Sequence, residues 1–264
     1  MGDKVANYRT YGKEPFNLIT LHGGPGAIGE LQELSEKLAE KYGVIEYLQK
    51  LAGINDLIDE MSQVIKNEME SPVKVIGFSW GAWLGLLFTE RYPKLVESLT
   101  LISCAPLEEK HSKDIKKNRL KRMNDKEKEL FFKVQDKFKE GKNVKIKLLN
   151  KFVELMHKVD AYSYVENNGN NHTDFHIELF KKIWAEASLL RKEGQLVEAL
   201  KNIDCPLNII HGAYDPHPYQ GILEPVERYD KEYELRLLEK CGHTPWREKY
   251  AEDKFYKALF ELLE

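Results

Sequence analysis

The sequence predicts an α/β protein with a mostly parallel central sheet, helices on both of its faces and an inserted helical segment. Three observations carry this expectation. Short apolar runs alternate with helical stretches over the first 105 residues. Residues 106–202 hold several helical stretches and no convincing strand. Beyond 203 the alternation of strand and helix resumes. Strands separated by helices pair in parallel, because each crossover carries the chain back over a face of the sheet. The expected organisation is a core formed by 1–105 and 203–264, with 106–202 as a helical cap. The breaks fall near Ala105 and Cys205.

Each element has its own signal. KVANYRTYG has room for one strand ahead of NLITLHG (17–23), a short apolar run ending in glycine. Leu31, Leu34 and Leu38 recur at i, i+3 and i+7, so 30–42 reads as an amphipathic helix. GVIEYL (43–48) reads as a strand. Ile54, Leu57, Ile58, Met61, Val64 and Ile65 share one helical face over 54–70. VKVIG, AWLGLLFTERY and VESLTLIS then give strand, helix and strand. Inside the insertion, NNGNNHTD (167–174) is a polar loop, after which helical spacing returns. PLNIIHG (206–212) is a strand, YELRLLEKCGH (233–243) contains another, and 245–264 is a final amphipathic helix.

Composition excludes several classes. Apolar residues make up 42% of 264, enough for a sizeable core, and the formal net charge of -3 argues against a dedicated nucleic-acid binder. Glu108 to Lys151 holds 16 Lys or Arg against 8 Asp or Glu, but the signs are intermixed, as on a solvated helical surface. Such a lid would still steer anionic substrates. Cys104, Cys205 and Cys241 are too few and scattered for a disulfide framework or a zinc site. No apolar run approaches the roughly 18 to 20 residues that span a bilayer. MGDKVANYRT carries no apolar signal segment, so a reduced, cytoplasmic protein without nucleic-acid or membrane partners is expected. The oligomeric state is not set by the sequence.

GFSWG (77–81) stands where a strand hands over to a helix. A sharp turn there lifts Ser79 above the sheet edge, beside the unpaired N–H groups of a helix N-terminus. The positions two before and two after must be small, and Gly77 and Gly81 satisfy this. A serine hydroxyl needs a base to take its proton and a third group to orient that base. Asp215 in IIHGAYDPHP and His243 in LLEKCGHTPW each follow a strand, where sites on open parallel sheets lie. The order Ser79, Asp215, His243 is that of a nucleophile-elbow enzyme. The glycines of LHGGPG (21–26) let N–H groups approach a ligand; Gly24 and Trp80 are the expected oxyanion donors. The plainer reading of HGGPG is a Gly-Pro turn.

With these motifs the chain resembles the α/β-hydrolase superfamily, and HGGPG with SWG looks like its proline iminopeptidase branch. The resemblance spans nearly the whole chain. It implies Ser79 as nucleophile, His243 as base, Asp215 as orienting acid, Gly24 and Trp80 as oxyanion hole, and no metal or organic cofactor. The Asp-x-Arg-Gly-x-Gly-x-Ser stretch usual in relatives is missing; VIEYLQKLAGIND stands in its place. Relatives hold a free amino end with cap acids, and Glu186 and Glu178 lie in the cap segment. The expectation is a serine hydrolase acting on an ester, thioester or amide of a small molecule or short peptide, aminopeptidases included. The opposing reading is a binding or receptor module that kept the fold and lost turnover.

Other residues have plainer readings. His22 and His211 read as local structure. His217 either lines the pocket or caps its loop. Cys241, near His243, invites a thiol reading but has no elbow of its own. Trp83, Trp184 and Trp246 read as packing residues.

Overall fold

The computed structural model describes residues 7–140, 144–166 and 174–264. In chain order its strands are β1 (Tyr8–Tyr11), β2 (Phe16–Leu21), β3 (Ala27–Ile28), β4 (Gly43–Tyr47), β5 (Val73–Phe78), β6 (Val96–Ile102), β7 (Asp174–Phe175), β8 (Leu207–Gly212) and β9 (Tyr233–Leu238). Seven of them form one sheet in the order β1-β4-β2-β5-β6-β8-β9. Only the edge strand β1 runs antiparallel, pairing Tyr8 with Tyr47 and Tyr11 with Val44; the remaining pairs are parallel. This is the α/β-hydrolase fold.

The alternation of side chains along each strand sorts them onto two cores. Ile19, Leu21, Ile45, Val75, Leu99 and Leu101 face one way, against α2 (Ile54–Glu68) and α3 (Trp80–Arg91). Leu18, Val44, Ile76, Phe78 and Ile102 face the other, against α1 (Gln32–Leu38) and the C-terminal helix Glu252–Leu263. Burying each such side chain contributes about 1.5–3 kcal/mol, so the two cores fix the strand register. α3 is buried nearly all round, as befits a helix under the centre of the sheet.

Between β6 and β8 come α4 (Glu109–Lys121), α5 (Asp125–Lys139), α6 (Ile146–Asp160), α7 (Ile177–Lys192) and α8 (Gln195–Lys201). Met123, Phe131, Leu155 and Val159 make a small cluster of their own. Ile183, Ala187, Leu196 and Leu200 of α7 and α8 belong instead to the core that holds α3. By packing, then, the segment divides between α6 and α7.

Three expectations need correction. The insertion does contain a strand: β7 pairs with β3, Ala27 opposite Phe175. Two residues carry no periodicity, and the rest of the polar stretch 167–174, its residues 167–173, lies outside the described residues. A helix unmarked in the sequence, α9 (Gln220–Arg228), fills the β8–β9 crossover. Pro225 hides it, since proline cannot donate to the carbonyl four residues back; the Gly221 carbonyl accepts from Leu107 N–H instead, at 3.1 Å. The final helix, α10 (Glu252–Leu263), starts later than 245, after a short 3₁₀ turn at Pro245–Arg247. Among the described residues no helix is long and apolar enough to cross a membrane.

Candidate active site

The central strand β5 runs straight into α3, and Ser79 is the hinge between them. Its backbone sits at φ 53° and ψ -111°, a region costing a non-glycine residue on the order of 1–3 kcal/mol. The Ser79 N–H donates to the Ile102 carbonyl at 2.9 Å and holds the turn. A Cβ on Gly77 would lie 2.6 Å from the Ala82 Cα, and one on Gly81 2.6 Å from the His22 carbonyl oxygen. Both positions therefore admit glycine alone. Trp80 and the residues after it open α3 with N–H groups that have no carbonyl within the helix to receive them.

His243 follows β9 and reaches back over this turn. Its Nε2 lies 3.1 Å from Ser79 Oγ, and its Nδ1 lies 2.7 Å from Asp215 Oδ2. An ionised carboxylate only accepts, so Nδ1 carries the proton and Nε2 is free to accept from the serine hydroxyl. Asp215 has no exposed side-chain surface. Burial pushes its pKa up, but the charges and hydrogen bonds of His243 and His217 prevail and hold it well below the ordinary carboxylate value. Burial likewise works against a charged His243, and the Asp215 carboxylate overrides it, raising His243 above its ordinary value. A hydroxyl, an imidazole and a carboxylate linked in this order can move a proton off the hydroxyl.

The loop carrying Gly24 is tied to α3 through a residue the sequence did not single out. Gln49, fully buried and at φ 31°, donates from Nε2 to the His22 carbonyl at 3.0 Å. Its Oε1 accepts the indole N–H of Trp80 at 2.8 Å. Gly24 itself has φ 30°, and its carbonyl accepts from Ala27 N–H at 2.9 Å. On the far side, His176 N–H donates to the Gly26 carbonyl at 2.9 Å, fastening the loop to the start of α7.

The His243 loop is held by buried carboxylates. Glu248 accepts from the N–H groups of Gly242, Tyr162 and Ser163 at 2.7, 2.8 and 2.7 Å. His243 N–H donates to the Asp160 carbonyl at 2.9 Å. The Asp160 carboxylate receives Arg119 Nε at 2.7 Å and a second guanidinium nitrogen at 2.5 Å, a two-pronged pair between α6 and α4. A further carboxyl, Glu30, is pushed up to about 7 by burial, against the opposing charges of His243 and Arg247. Apart from Glu248 and Gly242, six residues apart, these partners are distant in sequence, and no motif links them.

The structure brings Ser79, Asp215, His243 and His217 together and leaves the two cap acids apart from them in their contacts. His217 donates its backbone N–H to Asp215 Oδ1 at 2.8 Å and places Nδ1 2.7 Å from the same oxygen. Glu186 Oε2 accepts Ile54 N–H at 3.1 Å, capping α2. Glu178 is 71% exposed and pairs with Lys181 at 3.0 Å. Trp184 stacks on Trp83 at 5.9 Å, and His22 Nδ1 meets the Gly23 carbonyl at 2.8 Å. Burial pushes the Cys241 thiol up, which removes the thiolate a nucleophile requires. Asp215, His217 and His243 offer three ligand atoms within 4.8 Å of one another. Both Nδ1 atoms, however, are engaged by the Asp215 carboxylate, so the cluster is satisfied internally.

The family model described as alpha/beta hydrolase fold matches residues 66–245, more than half of the chain. No curated protein matches by sequence. Among solved structures, E-2-(acetamidomethylene)succinate hydrolase is similar at 16% identity with a TM-score of 0.65, covering 97% of this chain and 94% of that one. The thioesterase domain from the curacin biosynthetic pathway gives 14% identity and 0.60, covering 97% and 94%. A structure from a study of carboxylesterases of the ammonia-oxidizing thaumarchaeon Nitrososphaera gargenis gives 19% and 0.59, covering 97% and 93%. At these identities the likeness is one of fold.

Proposed function

The chain belongs to the alpha/beta hydrolase fold family, and from that premise we propose that it is a serine hydrolase cleaving an acyl bond through an intermediate on Ser79. The observation that carries the reading is the unbroken hydrogen-bonded chain from Ser79 Oγ to His243 to Asp215, at 3.1 and 2.7 Å. His243 Nε2 takes the hydroxyl proton as Ser79 attacks the substrate carbonyl. The imidazolium so formed is stabilised by Asp215, which keeps the ring in the productive tautomer. The oxygen of the tetrahedral intermediate is held by the N–H groups of Gly24 and Trp80, and removing one such donor costs about 3–4 kcal/mol of barrier. His243 then protonates the leaving group, and water, activated by the same imidazole, releases the acid.

The substrate is an ester, thioester or amide of a small molecule or short peptide, admitted between the sheet and the cap formed by α4 to α6. Several neighbours in fold are hydrolases of such bonds by name. The ester and thioester side of this range is favoured over an aminopeptidase, because Glu186 is spent on capping α2 and Glu178 on a surface pair.

A fluorophosphonate probe tests the reading. Wild-type protein is labelled and Ser79→Ala is not; equal labelling of both, or none of either, would return the chain to the binding-module reading. A panel of short acyl esters and thioesters against prolyl and other aminoacyl amides then fixes the bond. Faster cleavage of the amides overturns the preference stated here.

A further inference from the structure

Asp215 carries two imidazoles, not one. Oδ2 accepts from His243 Nδ1 at 2.7 Å, while Oδ1 accepts both the backbone N–H and Nδ1 of His217, at 2.8 and 2.7 Å. The His217 ring lies on the His243 ring, with centroids 4.2 Å apart and planes at 28°. A third histidine braces the pair: His211 Nε2 lies 2.9 Å from the His217 carbonyl and 3.4 Å from Asp215 Oδ2. Since the carboxylate is ionised and offers no proton, His217 Nδ1 must be the donor. His217 is thereby held as the Nδ1–H tautomer.

We propose that His217 is a positioning residue that weakens the grip of Asp215 on His243 and so sets how readily His243 gives up its proton. This role rests on the serine-hydrolase reading, while the geometry of His217 about Asp215 stands without it. Each hydrogen bond a carboxylate accepts lowers its affinity for further positive charge. Three donors already converge on Asp215 before His211 is counted. Take the Nδ1–H of His217 away and one of these donors is lost, so Asp215 bears more strongly on His243, whose imidazolium is then better stabilised. A base that stays protonated too far above neutral pH cannot accept the serine proton, so the second imidazole keeps the first in its working range. The stack fixes the plane of His243 at the same time.

The charged and titratable groups around this pair are few. Asp215 shares its loop. His211 ends β8, His243 follows β9, and the Arg119 guanidinium on α4 faces the cluster with Asp160 of α6 behind it. Burial and the charge of His243 push His217 down to about 4, so it is neutral wherever the enzyme would work. Arg119 is locked to Asp160 and keeps its charge throughout. Two groups in reach are left to titrate near neutrality: His243 itself and Glu30, whose carboxyl burial pushes up to about 7 against the charge of His243 and which is unchanged in every variant used below.

The test reads His243 directly and needs no substrate. Wild-type and variant proteins, labelled with 13C and 15N at histidine, are titrated by NMR. His217→Phe keeps a stacked ring and the backbone N–H but removes the Nδ1 donor; the His243 midpoint should rise by about half a unit or more. His217→Asn returns a side-chain N–H close to the Nδ1 position, and the midpoint should return toward wild type. A midpoint unmoved in His217→Phe, or moved equally in both variants, overturns the proposal. Should the phenylalanine variant not fold, the wild-type 15N shifts decide alone: a protonated Nε2 on His217 between pH 5 and 8 overturns it, and a protonated Nδ1 supports it. Probe labelling is scored separately. A normal His243 response in a protein that no fluorophosphonate labels would sink the hydrolase reading and leave this one standing.

Discussion

Glu248 holds the loop of His243 by the residue before it, accepting the Gly242 N–H at 2.7 Å from a fully buried carboxylate. The same carboxylate gathers Tyr162 and Ser163 N–H from the end of the cap. Glu248→Ala strands three N–H groups at once. Each buried orphan costs about 1–3 kcal/mol, so the variant should lose about 3 kcal/mol or more. Urea midpoints at unchanged slope measure this. Glu248→Gln, keeping a single acceptor oxygen, should fall between the two. A loss below 1 kcal/mol in the alanine variant would mean that water replaces the carboxylate.

Asp215 and His243 make opposite contributions to the pH dependence of stability. The carboxylate's folded pKa lies below its unfolded value, so its contribution is complete above the unfolded value of about 4 and is lost as pH falls through the folded one. His243 is raised; its contribution is complete below about 6.5 and disappears as pH rises through the folded value. In kcat/KM the acid limb of wild type should therefore lie above about pH 6.5. Asp215→Asn removes what raises His243, so the limb should move down while kcat falls by on the order of 10⁴. The stability gap between wild type and this variant should shrink below about pH 4. A gap constant from pH 7 to pH 2 would contradict the assigned charge state.

The parts of the molecule legible in the sequence were those with a period or a fixed spacing. β5, Ser79 and α3 could be read because two apolar runs flank a Gly-x-Ser-x-Gly spacing, the glycines standing where strand and helix pass close together. Asp215 and His243 could be placed because each follows a strand in a known direction of the sheet. What stayed hidden has no local trace. Gln49 meets Trp80 across 31 residues, and Glu248 meets Tyr162 across 86. β7 is too short for alternation, and Pro225 masks α9. For Glu178 and Glu186 the sequence offers the resemblance to relatives with cap acids and a place in the inserted segment, and neither says where a side chain points; one faces solvent and the other caps α2.

Gln49 links the two segments proposed to hold the oxyanion, so its loss should be felt in catalysis more than in binding. Gln49→Ala leaves the Trp80 indole N–H and the His22 carbonyl without this partner. The expected outcome is about 1–3 kcal/mol of lost stability for each orphaned group. A tenfold or greater fall in kcat at nearly constant KM should accompany it, since an interaction made only in the transition state is what suffers. Gln49→Glu keeps the acceptor for Trp80 but not the donor to His22, and isolates the loop's share. A variant that raises KM while leaving kcat alone would place Gln49 in substrate binding instead.

Ser79 lies in a backbone region that favours glycine, so the proposed nucleophile is held in place at the expense of stability. The strain at φ 53° and ψ -111° amounts to about 1–3 kcal/mol. Glycine relieves it and gives back about 0.5–1 kcal/mol through its greater freedom in the unfolded chain. Ser79→Gly should therefore be more stable than wild type by about 1 kcal/mol, which raises Tm by about 2–4 °C in a chain of this size. Ser79→Ala removes the hydroxyl and keeps the Cβ; it should lose turnover as completely and gain little stability. Thermal melts of the three proteins separate the two effects. If alanine and glycine stabilise equally, the excess resides in the half-buried hydroxyl and not in the backbone, and the turn carries no strain of its own.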